Sequence, residues 1–106
     1  MTDNKYKMGQ KIKEIRKTAG VTQEIFSEKI GIEPSSLSNI ENGKSYPSMQ
    51  TVLKIMEEYN ISPDKFFDFE YLANEIDLEK QMIEIIKKQP INTKRIMYKI
   101  LKQFEV

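Results

Sequence analysis

The sequence predicts an all-α protein, on three observations. Apolar residues recur three and four positions apart through nearly the whole chain, the spacing that gathers them on one helix face. Helix punctuation accompanies them: Gly20, Gly31 and Gly43 fall just past apolar stripes, and Pro34 and Pro63 fall at expected helix starts. Strand signals are almost missing. No alternating β-branched run occurs, and Asn42-Gly43, a dipeptide suited to a tight hairpin, follows a helical pattern instead.

The first helix carries Met8, Ile12, Ile15 and Ala19 as its stripe and ends at Gly20. Thr22 is placed to cap a second helix, with Phe26 and Ile30 inward and Gly31 after it. A third begins at Pro34, turns Leu37 and Ile40 inward and stops at Gly43. Ser48 opens a fourth, whose expected inward residues are Met49, Val52, Leu53, Met56 and Tyr59. Ser62-Pro63 opens a short fifth that should bury Phe66 and Phe67. Residues 1–68 therefore read as a compact five-helix domain and 69–76 as a linker or frayed extension, in which Phe69, Tyr71 and Leu72 are nonetheless able to pack.

Asp77 is then placed to cap a sixth helix running through Lys88, with Leu78, Met82, Ile85 and Ile86 on one face and Pro90 as its stop. Asn92 caps a seventh, aligning Ile96, Met97, Ile100, Leu101 and Phe104, and Ile91 is positioned to staple against Ile96. The resulting helical hairpin, 77–106, is too small to fold well by itself. Its apolar faces want a partner, either the N-terminal domain or, the preferred reading, a second chain.

Composition narrows the chemistry. Among the 106 residues there is no Cys and no His, which removes thiol chemistry, disulfides, Cys/His zinc sites and imidazole mechanisms. No metal or cofactor is expected. Carboxylate pairs such as Glu57/Glu58 and Asp64/Asp68 have no His, Cys or phosphate-binding glycine loop to work with, so they read as solvated helix faces and not as an enzyme's centre. RNA binding is disfavoured, because the aromatics are spaced as core and form no stacking platform. No apolar run approaches a membrane span and Met1 to Gln10 is polar, so a soluble cytoplasmic protein is the expectation.

The formal net charge of +1 hides a pattern. Met1 to Lys54 carries a local +3, Ile55 to Glu79 a local −7, and Lys80 to Val106 a local +5. A mildly basic N-terminal half is thus separated from a basic tail by an acidic middle. With so little positive charge on the N-terminal part, polyanion binding there would be selective rather than sticky.

The stretch from Thr22 to Gly43 has the layout of a helix-turn-helix. Such a unit needs a small residue where two helices cross, and Ser27 supplies it. It needs a residue tolerant of positive φ at the turn, and Gly31 stands four positions on. Apolar residues must face inward, as Phe26, Ile30, Ile32, Leu37 and Ile40 do. At 100° per residue, Ser35, Ser38, Asn39 and Asn42 then lie on the side of the second helix opposite Leu37 and Ile40.

Residues 8 to 68 resemble a Cro/CI-type (XRE, lambda-repressor-like) DNA-binding domain. The resemblance rests on Gly9, Lys11-Ile12, Ile15-Arg16, Gly20-Val-Thr-Gln-Glu, Ile30-Gly-Ile, Leu37-Ser-Asn-Ile-Glu-Asn-Gly-Lys44, Pro47-Ser48, Leu53, Ile61-Ser62 and Asp64. It implies a sequence-specific transcriptional regulator of double-stranded DNA, most often a repressor, acting as a homodimer on an inverted repeat. The helix 34–42 would lie in the major groove. Ser35, Ser38 and Asn39 would meet base edges, Asn39 foremost because an amide pairs bidentately with adenine. Gln23 would contact an outer base or a phosphate. Thr22, Asn42, Gly43, Lys44 and Ser45 would hold the phosphate backbone, with Tyr46, Lys17 and Thr18 as weaker candidates. Arg16 and Glu41 would pair as a fork that aims the helix and leaves Arg16 a spare N–H for phosphate. Glu33 departs from the pattern, which usually has Ser or Thr at this cap. It favours the helix dipole, reads a cytosine N4 or repels non-specific sites.

The run from Ile76 to Leu101 is similar to the two-helix multimerisation hook of Sin-type repressors, a looser resemblance resting on length, helix spacing and position. It implies a homodimer or higher assembly through Leu78, Met82, Ile85, Ile86, Ile96, Met97, Ile100, Leu101 and Phe104, open to a protein antagonist carrying a similar hook. An antitoxin, binding a different protein through this tail and DNA through its head, is the alternative.

Overall fold

The structure, a computed structural model, describes residues 2–105. It is all-helical, with seven α-helices and no strand among the described residues. α1 (Asn4–Ala19) is capped by Asp3, whose side chain accepts from the Tyr6 N–H at 2.8 Å, and Gly20 ends it at φ 72°. α2 (Gln23–Ile30) is capped by Thr22, which accepts from the Ile25 N–H at 3.2 Å. α3 (Pro34–Glu41), α4 (Met49–Glu58) and α5 (Pro63–Phe66) follow, then α6 (Glu75–Lys87) and α7 (Ile91–Lys102).

The chain divides into two compact units, one ending at Asn74 and one beginning at Glu75. In the first, Ile12, Phe26, Leu37, Ile55 and Phe66 are fully buried, joined by Ile15, Ile30, Ile40 and Val52. Burying each of these side chains contributes about 2 kcal/mol of transfer free energy. Phe26 also stacks on Tyr59, with ring centroids 5.1 Å apart.

Several elements depart from the sequence reading. In α4 the apolar stripe is wider than the core can cover. Thr51, Val52 and Ile55 are buried, whereas Met49 and Leu53 stay 65% and 54% exposed. The buried arc is centred on Ile55, and α4 packs mainly against α2, which covers one side of it only. α5 is a single turn, so Phe66 goes inward while Phe67, its C-cap, is left 45% exposed. Phe69 takes the second buried aromatic place. On α1, Lys7 and Gly9 are buried and Ala19 is exposed.

The segment 69–76, read as a linker, is instead tied to α1. Glu70–Leu72 forms one turn of 3-10 helix packed on α1. The Lys7 ammonium donates to Glu70 at 2.8 Å, Lys11 donates to the Tyr71 hydroxyl at 3.0 Å, and that hydroxyl donates to Glu14 at 2.7 Å. The Asn74 N–H donates to the Thr2 hydroxyl at 3.0 Å.

In the second unit, α6 starts two residues before Asp77, which lies inside its first turn. α7 starts at Ile91 with Pro90 as N-cap, so Asn92 is a helical residue and no side chain caps this end. A proline at that position fixes φ near the helical value and supplies the entry without a side-chain cap. Ile91 and Ile96 are both more than half exposed, and Ile91 is inside the helix, so the staple does not form. Neither helix contains a buried residue.

Candidate nucleic-acid interface

The turn between α2 and α3 is built as the sequence requires. Ser27 is buried at the crossing, its hydroxyl turned back to donate to the Glu24 carbonyl at 2.9 Å. Gly31 takes φ 78°, a conformation that costs a residue with a Cβ but not glycine. The Ile32 N–H closes the turn onto the Ser27 carbonyl at 3.0 Å. α3 then lies with Leu37, Ile40 and Glu41 buried and its opposite side in solvent.

Glu41 is 2% exposed and is the anchor of α3. Arg16 grips it with both arms of its fork, Nε to Oε2 at 2.8 Å and Nη2 to Oε1 at 3.0 Å. This hydrogen-bonded pairing raises the Arg16 pKa further above its ordinary value. Gln23 donates to the same carboxylate at 3.1 Å, and Gln10 donates to the Glu41 backbone carbonyl at 3.1 Å. A buried carboxylate costs little only when so fully satisfied. The third arm of Arg16, Nη1, donates to the Val21 carbonyl at 3.2 Å, leaving two N–H uncommitted. Arg16 therefore ties together α1, the loop before α2 and the end of α3.

Of the residues expected at bases, Ser35 and Asn39 are exposed on α3 and Ser38 is half-buried beside them. Ser38 accepts a long bond, 3.4 Å, from the Asn42 amide. Gln23 is half-buried, with one amide N–H engaged by Glu41, so its second N–H and its carbonyl oxygen are left for other partners. Of the backbone group, Thr22, Asn42, Lys44 and Ser45 are exposed, and Thr22 is also the cap of α2. Gly43 is half-buried at φ 74°, and a Cβ there would crowd Tyr6.

Two positioning residues escaped the reading of roles. Gly9 lies where α1 crosses the end of α3, and a Cβ there would run into the Ile40 carbonyl. Gln10 stands next to it on the Glu41 carbonyl. A glycine inside a helix is unfavourable by about 1 kcal/mol relative to alanine, so Gly9 was itself the available signal of a close approach. Gln10 left no such mark.

The helix-turn-helix domain family matches residues 9–72. The chain belongs to the XRE-type helix-turn-helix family. The regulator ImmR of Bacillus subtilis is 36% identical over 78 residues, 72% of this chain and 61% of its own length. The antitoxin PezA of Streptococcus pneumoniae is 33% identical over 94 residues, 87% of this chain and 60% of its own. The chain thus spans about three fifths of the length of these curated relatives. Two restriction-modification controller proteins have similar solved structures. C.AhdI from Aeromonas hydrophila aligns at TM-score 0.54 and 29% identity, over 58% of this chain and 94% of its own. A point mutant of C.Esp1396I aligns at 0.55 and 26%, over 84% of this chain and all of its own. No helix of this XRE-type chain, among the described residues, is long and apolar enough to cross a membrane.

Proposed function

We propose that this chain is a sequence-specific DNA-binding transcriptional regulator, a repressor acting as a homodimer on an inverted-repeat operator. The observation that carries the reading is α3 itself: a helix held from behind by the buried Arg16–Glu41 fork while Ser35, Ser38 and Asn39 face outward with short polar side chains. In the major groove, Asn39 pairs with adenine and the serines contribute direct or water-mediated contacts. Thr22, Asn42, Gly43, Lys44 and Ser45 flank the helix and hold phosphates on either side. Gln23 supports the fork with one amide N–H on Glu41 and serves DNA through its second N–H, toward a phosphate or an outer base, or through its oxygen toward a base donor. With few cations near the helix, affinity depends on fit and on pairing two half-sites.

Homodimerisation is assigned to the C-terminal helix pair. Met82, Ile85 and Ile86 of α6 and Met97, Ile100 and Leu101 of α7 line an apolar groove of about 290 Å³ that no residue of the pair fills. α6 carries four acidic residues against two basic ones, whereas α7 carries four basic residues and no acid. A second copy supplies both the apolar filling and the opposite charge, as a two-fold interface requires.

The test compares Asn39→Ala with Lys44→Ala on operator duplexes selected from random DNA and on random duplexes. Asn39→Ala should abolish the preference for operator. Lys44→Ala should weaken all DNA about equally and reduce the salt slope by about one unit. Identical behaviour of the two variants would refute the assignment of roles.

A second reading has one observation in its favour. The match to the antitoxin PezA is too long for the N-terminal unit alone and so includes part of the helix pair. On that reading the pair receives a different protein. A stoichiometric second polypeptide bound by the full chain, and lost on truncation after Asn74, would favour it over the homodimer.

A further inference from the structure

The positive charge of this chain is not concentrated where α3 lies. Residues 1–74 hold ten Lys and Arg against eleven Asp and Glu, a formal net −1 on the unit that carries α3. α7 holds Lys94, Arg95, Lys99 and Lys102 and no acidic residue, a net +4 within twelve residues. Met97, Ile100 and Leu101 turn one side of α7 to the apolar groove shared with α6. At 100° per residue, Arg95, Lys99 and Lys102 fall on the opposite side, four and three positions apart, in a stripe about 10 Å long. All three are exposed. Among the described residues Arg95 and Lys99 have no ion-pair partner, and Lys102 pairs with Glu105 at 2.7 Å. Like charges at these spacings repel one another, so the stripe weakens the helix until an anion covers it. Lys94 is half-buried and shares the groove face with Leu101, which leaves it for a second copy's acids.

We propose that Arg95, Lys99 and Lys102 form a second, sequence-independent DNA contact, binding the phosphate backbone away from the base pairs that α3 reads. The inference rests on the DNA-binding function proposed above and adds a surface to it. About 10 Å of duplex axis carries about three phosphates of one strand, one for each cation of the stripe. The Arg95 fork suits a phosphate best, and the lysines act as point charges. A unit with net −1 draws a polyanion poorly from a distance, and α7 supplies the missing attraction. The two units are contiguous in sequence and α6 is about 20 Å long, so DNA held by the first unit meets α7 at high effective concentration. A lipid surface fits less well. A helix lying on a membrane inserts its apolar side, whereas here that side is turned to the groove with α6 and the cations point the other way. Phosphate contacts carry no base information, so the stripe adds affinity and leaves the choice of sequence to α3.

The test uses the full-length protein with Arg95→Gln, Lys99→Gln and Lys102→Gln combined, on operator duplexes selected from random DNA and on random duplexes. At low salt the triple variant should bind both about ten-fold more weakly, with a salt slope shallower by about 2.7 per bound chain, and should select the wild-type sequence. Sedimentation should show the wild-type assembly state, because the stripe lies opposite the groove. Asn39→Ala is measured in parallel. If the triple variant keeps the wild-type slope while Asn39→Ala alters operator choice, the stripe is overturned and the reading of α3 stands. A triple variant that drops to a lower assembly state overturns the stripe as well. So does one that keeps its DNA affinity but loses a binding to phosphatidylserine vesicles that the wild type shows. If the wild type selects no common sequence, yet the triple variant has the shallower slope on random duplexes, the reading of α3 falls and the stripe stands.

Discussion

The N-terminal unit and the C-terminal helix pair are made from similar residue types and end in opposite states. The first closes five side chains completely away from solvent. The second, with Met82, Ile83, Ile85, Ile96, Ile100, Leu101 and Phe104 on two amphipathic helices, buries none of them. An amphipathic stripe specifies that burial will occur but not with whom. In the N-terminal unit, short turns bring five helices around one core. Two helices offer too little surface to enclose their own stripes. The N-terminal unit encloses its own core, whereas the helix pair leaves its apolar groove open.

The contrast is sharpest under truncation. Removing residues 75–106 should leave a folded, cooperatively melting N-terminal unit that is monomeric by sedimentation equilibrium, while the full chain is dimeric. A truncated protein that still sediments as a dimer would break the division of labour. Point substitutions follow. Phe26→Ala should cost the N-terminal unit about 4 kcal/mol in urea denaturation. Ile100→Ala should leave that unit's midpoint unchanged and instead weaken association, read from its concentration dependence. Equal stability losses at the two positions would contradict the contrast.

Next in size is the anchor of α3. Glu41→Ala strands Arg16 in a half-dry site and should cost about 3 kcal/mol, with DNA affinity falling even where the protein remains folded. The smallest effect belongs to the strap on α1. Tyr71→Phe removes the hydroxyl shared by Glu14 and Lys11 and should cost about 0.5–1 kcal/mol. Burial first, and the bond to Glu14 second, raise the Tyr71 pKa. A raised pKa in the folded state means that this contribution is intact at neutral pH and is lost as pH climbs through and above the ordinary tyrosine range, about 10. An alkaline melting series should show that loss in the wild type and not in Tyr71→Phe.

Much of the fold was legible because its signals are local. Thr22 and Ser48 cap helices through bonds reaching three residues forward, and Gly20, Gly31 and Gly43 take the positive φ that their helix ends demand. Those choices are made within one turn of chain. The outward polar face of α3 was legible for the same reason, since helical periodicity places Ser35 and Asn39 opposite Leu37.

What stayed hidden depends on residues far apart. The sequence by itself determined the all-helical class, the order of helices and the turn at Gly31, because caps, glycines and a 3.6-residue period act over a few residues. Only the tertiary structure decided that Met49 and Leu53 lie outside the core, since the extent of cover over α4 belongs to its neighbours. It alone turned 69–74 from a linker into a strap, through bonds reaching back to Thr2, Lys7, Lys11 and Glu14. It likewise committed the Gln23 amide nitrogen to Glu41, eighteen residues away. Burial is a property of the assembled solid. The periodicity of a helix names the candidates, and packing selects among them.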